Sequence, residues 1–338
     1  MKKKLTKILG LQLFNKLSKS KRYFSNLIQL LKTFIIDAKL FYRHSMVFKD
    51  DTFNKIESRI ILDYHGIEKG LLFKNFRHRF GENRVIELVK LLKYKEVVEN
   101  HKKSQIAAAY LAICQYYERH QNDGINISDY FTNEDYEYFK SLTTLDLDIV
   151  KSFQHSTFFK KCDRNFFEFS KSRGSVRSFN GEKIPLETIN KIVDLAKTAP
   201  SVCNRQPTKV YYVESKQKID RIFDIQQGLK GYSDEIVQLL VLVSDRNYFY
   251  TIGERNQLYI DGGMFLMNLL YAIHFYKVGA CPAHWGFTYK QEKEIHKELK
   301  LTESEKVICL VPIGLPKEEF KTTLSLRRNN DEILKIVS

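Results

Sequence analysis

Apolar residues recur at helical spacing through the first 140 positions. Ile56, Ile60, Ile61, Tyr64 and Ile67 share a face, residues 85–92 continue the pattern, and residues 106–117 form its strongest run. Residues 53–141 are therefore expected to be helical. Asn133, followed by acids at 134 and 135, marks a helix start. Between about 142 and 172 the pattern dissolves into Ser, Thr, Lys and Phe, and a domain junction is expected there. Beyond Arg173 the texture changes. Pro185 opens a helix with Ile189, Ile192, Val193 and Ala196 on one face, and Ala199-Pro200 ends it. Residues 209–213, 237–243 and 306–313 read as strands, the second continuous and β-branched as fully buried strands are. Residues 257–276 form a long apolar helix. Strands alternating with helices behind a helical N-terminal region predict an α/β or α+β layered fold.

The start of the chain is patterned differently. Leu5, Ile8, Leu9, Leu11, Leu13 and Phe14 mix with lysines, and residues 24–42 place Leu27, Leu30, Leu31, Phe34, Ile35 and Leu40 on a broad apolar face. Residues 1–49 hold twelve Lys or Arg and a single acid, Asp37, a balance of +11 out of a chain total of +15. A basic arm on a near-neutral body suits a local partner better than nucleic acid along its whole length. One reading rests the arm on an anionic lipid surface. The other packs it as a helix on the body with a solvated lysine tail. No small-residue cleavage site follows the basic start, so it is not expected to be a signal peptide.

Composition narrows the class. With 43% hydrophobic and 28% charged residues over 338 positions, the chain is neither disordered nor collagen-like. Its length suggests two domains. Five cysteines without metal or disulfide spacing suit a reducing cytoplasm, and no metal site is expected. Nothing approaches the roughly 20 uninterrupted apolar residues of a spanning helix.

Two stretches carry candidate chemistry. In Ser172, Arg173, Gly174, Ser175, Val176, Arg177 two guanidiniums bracket a serine, with small residues that admit a ligand to the backbone. The planar guanidinium suits phosphate, although such loops are common in proteins without one. After the helix, Pro200, Ser201, Asn204, Gln206 and Pro207 form a rigid polar loop before a strand. It offers donors and acceptors to a heteroaromatic edge, or serves as an ordinary connection.

In this order and spacing the two stretches resemble the nitroreductase family of flavoproteins, which carries an Arg-x-Ser-x-Arg-like segment, a helix, then a Pro-Ser-x-x-Asn-x-Gln-Pro loop. Asp261-Gly262-Gly263 with Met267-Asn268-Leu269-Leu270 is similar to the family's dimer-core helix, and residues 326–332 to its C-terminal Arg segment. The resemblance spans about residues 165–338. It implies an α+β, three-layer α/β/α sandwich behind a mostly helical N-terminal region, divided as a basic arm (1–50), a helical domain (51–150) and an FMN-binding domain (165–338). It further implies FMN at a homodimer interface, with NADH or NADPH as donor and ping-pong hydride transfer. Arg173, Ser175 and Arg177 would hold the phosphate and ribityl chain, with Pro200, Ser201, Asn204 and Gln206 reaching FMN from the partner subunit. Arg328, and less directly Arg327, would return to the phosphate. Pro282, Ala283 and His284 would lie near flavin N5. Gly174 replaces a larger residue, and residues 281–286 lack the Pro-x-Glu-Gly run of some members, so donor and acceptor preferences are not implied. No catalytic side chain is expected, since the flavin carries the chemistry.

Asp63, Tyr64, His65, Gly66, Ile67, Glu68, Lys69 and Gly70 pack a His, acids and a Lys around two glycines. They resemble an N-terminal region of a nitroreductase-like branch associated with bacterial surface-polysaccharide genes. Read functionally, His65 and Glu68 shape substrate access; read structurally, a helix ends at Gly66 and restarts. Trp285 is a candidate for the substrate side or for packing. The leading expectation is thus a cytoplasmic flavin oxidoreductase, with a peripheral place at the inner membrane face for residues 1–49, and with a nitro compound, a quinone or a polysaccharide-pathway intermediate as acceptor. A catalytically silent flavin-fold scaffold is the alternative.

Overall fold

The computed structural model describes residues 11–44, 47–49, 51–73, 77–229 and 231–337. Contacts divide the chain into two compact units, Met1–Arg59 with Tyr250–Arg255, and Ile60–Phe249 with Asn256–Ser338. Leu5, Ile8 and Leu9 of the basic arm lie outside the described residues.

The first unit is built on helix α1 (Leu11–His44). Asp37 accepts two hydrogen bonds from the Arg255 guanidinium, at 2.8 and 3.0 Å, and this pairing holds its carboxyl below the usual range. The remaining apolar face of α1 is bare: Phe24, Leu27, Ile28, Leu31, Phe34 and Ile35 are all exposed. These residues belong to the amphipathic face expected from residues 24–42.

The second unit starts with the helices. From residue 60 the helix α2 (Phe53–Gly70) buries Ile60, Tyr64 and Ile67, as the spacing predicts. Helix α3 (Glu82–Leu92) adds Leu88 and Leu92, and α4 (Ser104–Asn122) is buried over most of its length. Helix α5 (Asn133–Leu142) is capped by the Thr132 side chain, which accepts from the Asp135 N–H at 3.1 Å. α2 continues unbroken through Gly66, which settles the restart at that residue as absent.

The sheet follows. Strands β2 (Thr208–Val213), β3 (Gln238–Asp245) and β6 (Glu305–Gly314) pair antiparallel in the order β2-β3-β6. The short strands β4 (Gly279–Ala280) and β5 (Ala283–His284) both pair antiparallel with β6. With no parallel pair among these strands, the fold is α+β. All eight residues of β3 are buried. Their side chains alternate between two cores. Leu239, Val241 and Val243 join Ile219, Ile222 and Ile295 of helices α7 (Lys216–Gln226) and α9 (Tyr289–Leu299). Leu240 and Leu242 join Ile189, Ile192, Leu269 and Ile273 of α6 (Leu186–Ala196) and α8 (Gln257–Phe275). Helices therefore cover both faces, giving the expected three-layer sandwich. Each such side chain, once buried, contributes about 1.5–3 kcal/mol. Gln238, the first residue of β3, accepts from the Ile184 N–H at 2.6 Å and donates to the Ile184 carbonyl at 2.9 Å, as a strand neighbour would.

Residues 142–172 are not a linker. They supply β1 (Val150–Gln154), which pairs antiparallel with β7 (Glu319–Thr323), and a short helix, Phe166–Ser172. The contacts instead thin at Arg59, so the helical region from residue 60 and the sandwich share one unit. The reason lies in the C-terminal segment: the Gln105 amide accepts from the Tyr64 hydroxyl at 2.6 Å and donates to the Leu326 carbonyl at 3.1 Å, and Glu332 accepts from the Ser104 N–H at 3.2 Å.

Candidate functional site

The β1–β7 ribbon, the helix Phe166–Ser172 and the inner end of α8 enclose a cavity of about 400 Å³. Its wall carries four cations, Lys151, Lys171, Arg173 and Arg327, with the hydroxyls of Ser170, Ser172, Ser175, Thr322, Thr323 and Tyr271. No carboxylate lines it among the described residues. Burial and the Arg327 guanidinium both depress the pKa of Arg173, the signature of like charges held together without a counter-ion. The cavity's chemistry is that of a phosphate site.

Below it, His274 of α8 hydrogen-bonds Ser172 Oγ through Nε2 at 2.8 Å, while Ser172 donates to the Phe169 carbonyl at 2.8 Å. The ring sits among Phe158, Phe159 and Phe169. Burial, with the Arg173 charge, pushes its pKa down to about 4, so the imidazole is neutral near pH 7.

Of the residues expected to hold a cofactor, the fold brings Arg173, Ser175 and Arg327 together here. The order of the two C-terminal arginines is reversed: Arg327 lines the cavity, whereas Arg328 pairs with Glu332 at 3.2 Å. Glu332 caps the helix turn that follows, so its side chain claims Arg328 locally. Gly174 leaves space, but a Cβ there would touch Phe158 at 3.4 Å and Thr322 at 3.6 Å. Arg177 is not on this wall. Its guanidinium reaches the buried Cys281 thiol instead.

The loop of residues 199–207 lies apart from the cavity within one chain. Cys203, Asn204 and Gln206 have φ of 49°, 53° and 49°, an uncommon left-handed run for side chains of this kind. Hydrogen bonds hold it: Gln206 N–H donates to Ser201 Oγ at 2.9 Å, and Val202 N–H donates to the buried Asp261 carboxylate at 3.3 Å. Asn204, Gln206 and Pro200 are left exposed. Pro282 is half-buried and Ala283 buried, and the His284 carbonyl accepts from Gln226 at 3.1 Å.

The three residues expected on the substrate side, His65, Glu68 and Trp285, make contacts within the fold. Trp285 is 5% exposed, packs edge-on against Phe287 and donates from Nε1 to Glu292 at 2.9 Å. It is a core residue. Glu68 is 1% exposed; it accepts from His65 Nδ1 at 2.8 Å and from the Ser325 N–H at 3.3 Å. The pair therefore ties α2 to the segment that carries Arg327. Lys151, Lys171 and Tyr271 were not singled out by sequence. Lys151 becomes a wall residue only through ribbon pairing across the chain, for which local periodicity holds no signal, and Lys171 stands in the last turn of the helix Phe166–Ser172.

Comparison with known proteins falls on the same segment. Residues 171–230 match the Nitroreductase family. Among curated proteins, iodotyrosine deiodinase 1 of Pongo abelii is 24% identical over 209 residues, 52% of this chain and 70% of that protein. A protein of Methanothermobacter thermautotrophicus, provisionally named NADH dehydrogenase/NAD(P)H nitroreductase, is 25% identical over 45% of this chain and 77% of its own. Among solved structures, a nitroreductase-like protein from Streptococcus mutans is 20% identical, covering 52% of this chain and 98% of that one, with a TM-score of 0.44. An FMN-dependent nitroreductase from Clostridium difficile is 20% identical, covering 49% and 92%, with a TM-score of 0.41. The family match includes Arg173, Ser175, Arg177 and the loop of residues 199–207. With the curated relatives it bears out the expectation of an oxidoreductase.

Proposed function

We propose that the protein is an FMN-dependent oxidoreductase that takes reducing equivalents from NADH or NADPH and delivers them to a small-molecule acceptor in ping-pong order. The observation that carries this reading is the carboxylate-free, cation-lined cavity built from the segment that matches the Nitroreductase family. The donor set fits the flavin phosphate: Arg173 and Arg327 supply guanidinium forks, Ser175 a hydroxyl, and Gly174 close backbone approach. When bound, the flavin accepts a hydride and returns the electrons to the acceptor. The chain orients and shields; Lys151 and Lys171 add positive field, and neutral His274 fixes Ser172 at the start of the Arg173 segment.

A homodimer completes the reading. Ile260, Met264 and Met267 form an exposed apolar ridge on α8, and Tyr271, one turn further, lines the cavity. A second copy on this ridge would bring its own 199–207 loop, with Asn204 and Gln206 exposed, to the cavity mouth. We place the protein in the cytoplasm, where its five unpaired cysteines stay reduced. The bare apolar face of α1 and its basic residues suit anionic lipid at the inner membrane face. A nitro compound, a quinone and a surface-polysaccharide intermediate are the acceptor classes.

The test is the visible spectrum of the purified protein and the cofactor it releases. Yellow protein with about one FMN per chain, bleached anaerobically by NADH or NADPH, supports the reading. Protein colourless after incubation with FMN overturns it; bound FMN that neither nicotinamide reduces makes it a scaffold. For the arm, full-length chain is expected to co-sediment with anionic vesicles at low salt, and a chain starting at residue 50 is not. Equal sedimentation of the two would remove the membrane role.

A further inference from the structure

The segment that carries Arg327 leaves β7 by an uncommon route. Ser325 has a φ of 47°, a left-handed conformation that a residue with a Cβ keeps only where neighbouring contacts hold it. Two contacts hold it here. Its N–H donates to Glu68 Oε1 at 3.3 Å, and its hydroxyl hydrogen-bonds Thr323 Oγ1 at 2.7 Å. Its carbonyl in turn accepts from Arg327 Nη1 at 2.5 Å. A line of hydrogen bonds thus runs from α2 through one backbone residue to a guanidinium on the cavity wall.

The start of that line is itself fixed. Glu68 is buried, and its other oxygen, Oε2, meets His65 Nδ1 at 2.8 Å. One turn earlier on α2, Tyr64 donates to Gln105, whose amide donates to the Leu326 carbonyl. The ribbon secures the preceding residue, where the Leu324 N–H donates to the Ile149 carbonyl at 2.9 Å. Residues 324, 325 and 326 are therefore each held, and Glu68 supplies the charged tie of the three. Glu68 does not line the cavity, so its effect on a ligand there passes through the residues it holds.

We propose that Glu68 is a positioning residue for the cavity: by holding Ser325 left-handed, it aims the Arg327 guanidinium at a phosphate bound there. That the phosphate belongs to a flavin rests on the oxidoreductase reading, whereas the positioning of Arg327 does not. The helical N-terminal region then sets the cavity's affinity for an anion as well as supporting the sandwich.

The test titrates the full-length chain, freed of bound cofactor, with FMN and with riboflavin, which differ in the phosphate alone. R327Q is expected to lower the preference for FMN over riboflavin about tenfold, the size of one charged hydrogen bond. E68A should lower it as far, and E68A/R327Q no further. E68A/S325G should regain most of it, because glycine adopts a positive φ without strain. Equal weakening of both flavins by E68A overturns the proposal, as does a loss that adds to that of R327Q. Should E68A not fold, E68Q keeps the volume without the charge and is expected to lower the preference about threefold; an unmoved preference there overturns the proposal too. A second readout needs no ligand: modification of Arg327 by phenylglyoxal, mapped by peptide mass spectrometry, is expected to be about threefold faster in E68A, the scale of one lost hydrogen bond, with Arg328 unchanged. A native chain that binds neither flavin yet shows this change would sink the oxidoreductase reading and keep the positioning. An unchanged rate at Arg327 sinks the positioning itself.

Discussion

Acid should unfold this protein partly through His274. The ring is 3% exposed, so solvent does little to screen it, and its pKa is pushed down to about 4 from an ordinary 6.5. The sign follows from proton binding. Between those values the unfolded chain takes up a proton that the folded chain refuses, so stability is fully present above about pH 6.5 and falls as the pH drops toward 4. At about 1.4 kcal/mol per pKa unit the total is about 3 kcal/mol, of which about 2 kcal/mol is lost by pH 5. Urea denaturation at pH 7.5, 6, 5 and 4.5 measures the slope in the native sequence and in H274Q, which retains an amide donor for Ser172 but does not titrate. The variant is less stable at pH 7.5 because the ring's aromatic packing is lost, yet its stability should fall by about 2 kcal/mol less on going to pH 5. Parallel pH curves for the two proteins would refute both the neutral state of His274 and the role of Arg173 in enforcing it.

The remaining predictions separate cavity from scaffold. R173Q and R327Q should each weaken FMN binding tenfold or more in a flavin fluorescence titration, each removing a charged hydrogen bond worth about 1.5–3 kcal/mol; an equal loss in R328Q would contradict the pairing of Arg328 with Glu332. E68A should cost about 2–3 kcal/mol in urea and speed hydrogen exchange around Ser325, because that N–H loses a charged acceptor, and unchanged exchange there would show that α2 does not anchor the segment. W285F should lower stability by about 1–2 kcal/mol by leaving Glu292 short of a donor, with kcat/KM the same for every accepted substrate; a substrate-dependent change would return Trp285 to the binding face.

Local pattern revealed much of the sandwich. β2, β3 and β6 fall within a residue or two of their expected bounds, and so does α8, because a buried strand and a long apolar helix write their burial into consecutive residues. The β1–β7 ribbon was illegible for the opposite reason. Val150 and Thr323 are paired but lie far apart in sequence, and neither five-residue strand is apolar enough to announce itself. The site divides the same way. Arg173 and Ser175 stand in a recognisable motif, while Lys151 joins them only through the ribbon. Arg327 and Arg328 are adjacent and chemically identical; the reach of Glu332 decides between them.

The ribbon also sets a timetable. One wall of the cavity is laid down by residues 151–175 and the facing wall by residues 322–327, which follow β2 and β3 in the chain. A ribosome adding about 5–20 residues per second finishes the sheet strands β2 and β3 many seconds before the second wall exists. During that interval the first wall's cations, Lys151, Lys171 and Arg173, have nothing to close over a ligand, and β1 waits as an unpaired edge. The cavity is consequently complete only once residue 327 has been made, and a chain cut short before residue 319 would keep the sheet strands β2, β3 and β6 without the wall that β7 supplies.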